Sequence, residues 1–83
     1  MKADIKKMLI ELEHLRLDRL TPEQVIATYT ESDMNNLFKW TNYLVWQRDP
    51  LVKAKAKHYR AVIKKCYSYI VENMKEKRGF YEN

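Results

Sequence analysis

Four cations in this 83-residue chain are spaced so that they could act together. Lys53, Lys57, Arg60 and Lys64 lie four, three and four residues apart, which at about 100° per residue gathers them on one helical face. At the same period Lys75 and Arg78 rejoin that stripe, while Glu72 and Glu76 point well away from it. The chemistry on offer is electrostatic: a ridge of this kind neutralises phosphates or meets an acidic protein surface. It would cover about 16 Å from Lys53 to Lys64 and about 37 Å to Arg78, comparable with one turn of duplex DNA. Lysines predominate, which favours neutralising phosphates over bidentate reading of base edges. Tyr67 borders the stripe as an aromatic flank for packing or stacking. A solvated outer face made only of lysines would carry the same pattern, so the stripe predicts attraction to an anion and leaves the anion open.

Three aromatic residues supply the competing chemistry. Trp40, Tyr43 and Trp46 fall outside the apolar stripe of their own segment, where they form either an interaction patch or the buried sides of a central helix. Ile10 and Leu17 flank His14 on the face of the first segment opposite its main apolar stripe, a second seam that a second copy of the chain could cover. A helix-turn-helix around Thr30-Glu31-Ser32, presenting Asn35, Asn36 and Lys39, is a weaker nucleic-acid arrangement. Its turn lacks glycine, and Glu31 and Asp33 would set negative charge near phosphates.

Catalysis has little to work with. Glu11 and His14 have the Glu-x-x-His spacing of carboxylate-bridged metal bundles, but His58 is preceded at the matching position by Lys55, so no second pair exists. The lone cysteine, Cys66, falls on an apolar face between Tyr59, Ile63 and Ile70 with no base beside it in sequence, which predicts a buried, inert thiol. No glycine-rich phosphate loop or nucleophile elbow can be built with one glycine. The expectation is a protein that is not an enzyme, with no cofactor and no metal.

The elements that must position these residues are helices. One glycine and two prolines leave too few turn formers for a sheet, and the composition (46% hydrophobic, 33% charged, 12% aromatic) belongs to a folded domain rather than a disordered chain. The predicted fold is all-α: a compact bundle of four helices over about 3–20, 22–29, 33–47 and 50–78. The third and fourth form an antiparallel hairpin, and a short tail follows Gly79. Ile5, Met8, Leu9, Leu12 and Leu15 mark the core face of the first helix. Thr21-Pro22-Glu23-Gln24 starts the second, Thr30 or Ser32 caps the third, and Asp49-Pro50 starts the fourth. The net charge of +5 is unevenly held, because residues 50–83 carry nine basic and three acidic groups.

No apolar run approaches the roughly 20 residues of a membrane span, and no signal-peptide pattern opens the chain, so a cytoplasmic protein without membrane partners is expected. The resulting expectation is a small regulatory protein binding DNA or RNA through Lys53, Lys57, Arg60, Lys64, Tyr67, Lys75 and Arg78. The alternative is a protein-interaction module, an adaptor or an inhibitor of a cellular enzyme. It would use Trp40, Tyr43, Trp46, Ile10 and Leu17 against an acidic protein surface or a second copy of the chain.

Overall fold

In the computed structural model, which describes the backbone of residues 2–82 and the side chains of residues 5–75, the chain is all-α. Its helices are α1 (Lys2–Leu15), α2 (Pro22–Thr28), α3 (Glu31–Val45) and α4 (Pro50–Glu82), with a 3₁₀ turn at Leu17–Arg19. There is no strand among the described residues.

The helix starts are written in local chemistry. Thr21 accepts from the Gln24 N–H at 3.2 Å while the Gln24 side chain accepts from the Thr21 N–H at 2.9 Å. This reciprocal box fixes α2 and has Pro22 just inside it. Thr30 and Asp33 repeat the arrangement for α3, at 3.1 and 2.8 Å. Thr30, not Ser32, is therefore the cap, and α3 begins at Glu31, earlier than expected. Asp49 accepts from the Leu51 N–H at 2.9 Å at the start of α4.

The core is the meeting of the expected apolar faces. Leu12, Val25, Met34, Leu44, Ala56, Ile63, Cys66 and Ile70 are buried, with Ile5, Leu9, Leu37, Phe38, Tyr59 and Met74 packed around them. Thr41 is the polar residue within it, and its hydroxyl donates to the Phe38 carbonyl at 2.9 Å, so its burial leaves no unmet donor. α4 packs most extensively on α3, with which it forms the antiparallel hairpin, and also contacts α1, α2 and the 3₁₀ turn.

Two further boundaries differ more widely from expectation. The first helix stops at Leu15 rather than near residue 20, because Arg16 adopts a left-handed backbone, φ 48° and ψ 42°, and turns the chain. That turn carries Leu17 into the core at 6% exposure, so Leu17 is not part of an outer seam with Ile10, which remains 45% exposed. Neither glycine nor asparagine, the usual left-handed residues, marks the site, and helical periodicity continued past it by default. At the other end α4 runs through Gly79 to Glu82 in place of a tail. Gly79 has no positive φ, and a glycine inside a helix costs only about 1 kcal/mol against alanine, too little to end one unaided.

At about 1.5 Å per residue the 33 residues of α4 make a rod of about 50 Å. The molecule measures 51 × 21 × 18 Å, so α4 sets its long axis. The radius of gyration, 14.6 Å, exceeds the roughly 12 Å of a sphere-like domain of this length for that reason.

Candidate nucleic-acid interface

α4 divides its residues by phase. Ala56 and Ile63 have no exposed surface, and Cys66 and Ile70 have almost none, while Lys53, Lys57, Arg60 and Lys64 are all exposed on a neighbouring face of the same rod. Lys75 is exposed as well, and Arg78 lies outside the described side chains.

Between Lys64 and Lys75 the stripe is not continuous in character. Tyr67 is half-buried there, its ring edge-on to Phe38 at 6.0 Å, and its hydroxyl donates to a Glu31 carboxylate oxygen at 2.9 Å. The phenol is held above its ordinary pKa first by that hydrogen bond, then by burial and by the Glu31 charge. Tyr67 is thus a wall between α3 and α4, and it brings Glu31 to the edge of the basic face. The compact electropositive segment is Lys53 to Lys64.

Within this segment the cations repel one another. Lys53–Lys57 and Arg60–Lys64 are like charges four residues apart and Lys57–Arg60 three apart, each pair costing about 0.2–0.5 kcal/mol at low salt.

The aromatic residues of α3 separate in the structure. Trp40 is half-buried against the core beside α1, whereas Tyr43 is 45% and Trp46, at the end of α3, 85% exposed. Trp40 lines an open groove of about 900 Å³ between α1 and α3, with Leu15, Tyr29 and Leu37 as further apolar wall and Glu11, His14, Asp33 and Lys39 on its rim. Trp46 walls a different groove, of about 890 Å³, at the α3–α4 corner, floored by Ile5, Leu9 and Val52. Sequence reasoning missed the role of Ile5, Leu9, Lys6 and Arg48 around this indole, since nothing local says that the start of α1 reaches the far end of α3.

A third cleft, about 410 Å³, joins the end of α1 to α4 and is lined by Glu13, His14, Arg16, Asp18, His58 and Tyr59 among others. Burial and the nearby Glu13 and Asp18 charges raise the Tyr59 pKa. Glu11 and His14 are exposed, and no group of three or more His, Cys, Asp or Glu suited to a metal occurs among the described residues. Cys66 is buried, with its thiol 3.9 Å from the Leu17 carbonyl and pushed up in pKa by burial, the opposite of the shift that activates a thiolate. No described helix is long and apolar enough to cross a membrane. No family model matches this chain, and no curated protein or solved structure matches it.

Proposed function

We propose that this chain is a small, non-enzymatic regulatory protein that binds nucleic acid by its phosphate backbone along the basic face of α4. The observation that carries the reading is the exposure of Lys53, Lys57, Arg60 and Lys64 on one face of a single rigid helix. Their mutual repulsion weakens the helix, so helix stability does not account for the sorting, and a polyanion would turn that repulsion into binding energy. Lys75 and Arg78 extend the track, and Tyr67 packs beside it. A salt titration tests this. Four neutralised phosphates give a log–log slope of affinity against salt near −3.6 on duplex DNA, and six give about −5. Affinity that does not fall between about 50 and 200 mM salt, or no binding to any nucleic acid, would sink the reading.

A second reading, a protein-interaction module acting as adaptor or enzyme inhibitor, is favoured by the α1–α3 groove. Its apolar wall of Leu15, Leu37 and Trp40 between charged rims has the form in which an amphipathic helix is bound. Ile10, 45% exposed on α1, would lie at the margin of such a contact or of a homodimer. Sedimentation equilibrium of the full chain at micromolar concentration checks the homodimer: a monomer throughout removes that version.

A further inference from the structure

The α3–α4 corner exposes an aromatic ring that the fold does not use. Trp46 is 85% exposed although an apolar groove lies beside it, floored by Ile5 and Leu9 of α1 and Val52 of α4. Lys6, Arg48 and Asp49 stand on its rim, two positive charges against one negative, and Asp49 also accepts from the Leu51 N–H at 2.9 Å to cap α4. Tyr43, one helical turn back on α3, is the second exposed ring. The basic stripe begins on the next helix: Gln47, Arg48 and Asp49 separate Trp46 from Pro50, at most about 14 Å of chain, and Lys53 follows in the first turn of α4. A flat π-face and an apolar floor with Lys6 and Arg48 on its rim therefore share one corner, and the line of cations starts on the helix that leaves it.

Resting on the phosphate-track reading, we propose that this corner holds an unpaired base of a single-stranded nucleic acid, stacked on the Trp46 indole, with the flanking phosphates on Arg48, Lys6 and the Lys53–Lys64 stripe. An unpaired base offers a free π-face and carries its negative charge on the adjoining backbone, which is the pairing of features the corner complements. In a duplex both faces are stacked on neighbouring bases, so exposing one costs a few kcal/mol. The site accordingly selects single strands or frayed ends. Stacking is tolerant of base identity, so selectivity is for strandedness more than for sequence. The rim is net positive, two cations against Asp49, which favours an anionic occupant over an apolar protein surface.

The test uses the full chain, a labelled oligodeoxythymidylate of about 12 nucleotides and a mixed-sequence duplex, followed by fluorescence anisotropy. The wild type should bind the single strand more tightly than the duplex. Trp46→Ala should weaken the single strand about tenfold or more, leave the duplex nearly unchanged and keep the salt slope, because no charge is lost. Trp46→Phe, which retains a ring, should recover most of the loss. Circular dichroism checks the fold, which an 85% exposed side chain should not disturb. If Trp46→Ala binds the oligonucleotide like the wild type with the salt slope intact, stacking is overturned and the phosphate track stands. If the wild type binds neither probe at any salt, the track itself fails and this proposal with it. Unchanged oligonucleotide affinity accompanied by lost self-association would assign the indole to a second copy of the chain and overturn the proposal.

Discussion

On α4, the face containing Ile63 and the face containing Lys57 are parts of the same rod and are held to different standards. Ile63 has no exposed surface and is surrounded by the packed core, so its size and shape are set by neighbours on other helices. Lys57 and its companions are exposed, and no packing requirement accounts for their spacing. The contrast separates two loads: the apolar face carries stability, and the exposed basic face, which repels itself at a small cost to the helix, is the one proposed to meet a polyanion. Because the faces share a backbone but not side-chain neighbours, substitutions on them should be nearly independent.

Ile63→Ala is the strongest way to break that separation. It should remove about 2–5 kcal/mol of stability, a large share of what a domain of this size possesses, lowering the urea midpoint with little change in slope. Nucleic-acid affinity measured well below the midpoint should be unaffected. The converse variant, Lys57→Glu with Arg60→Glu and Lys64→Glu, should leave stability within about 1 kcal/mol of wild type. It should weaken duplex binding by about 100-fold at low salt and flatten the salt slope by about three. Loss of fold in that variant, seen by circular dichroism, would show that the basic face also bears structural load.

Arg16→Gly sharpens the comparison from outside α4, because it relieves a left-handed backbone at a turn that feeds the core. It should stabilise the protein by about 0.5–1 kcal/mol, raising the melting temperature by about 2–8 °C, with binding unchanged. The smallest effect expected is in alkali. Tyr67, Tyr59, Tyr29 and Cys66 all have raised pKa values, Tyr67 chiefly through the Glu31 hydrogen bond and the others chiefly through burial. Above the ordinary thiol and phenol values the unfolded chain loses protons before the folded one. Stability from these groups is thus complete below about pH 8.5 and declines as pH rises through the raised folded values. Melting temperatures from pH 8 to 11 should fall more gently in Tyr67→Phe than in the wild type.

What could be read from the chain was what depends on near neighbours. The Thr21–Gln24 box, the Asp49-Pro50 start and the phase of the basic stripe each involve residues within about one turn of one another, and all appear in the structure. The Thr30 cap was one of two candidates, distinguishable only by Asp33 three residues on. The end of the first helix was illegible, because a left-handed arginine has no compositional mark. Helical phase showed that Trp40, Tyr43 and Trp46 leave the core stripe of α3, but phase gives direction and not company.

The sequence by itself determined the helical class, the starts of α2 and α4 and the gathering of Lys53, Lys57, Arg60 and Lys64 on one face, since caps and periodicity are local properties of the backbone. Tertiary structure alone decided that Leu17 is core, that Tyr67 is tied to Glu31 from 36 residues away, and that Trp40 is sheltered while Trp46 stands open. Each of those outcomes depends on which distant segment arrives beside a side chain, and that is settled by how the apolar faces of all four helices are buried together.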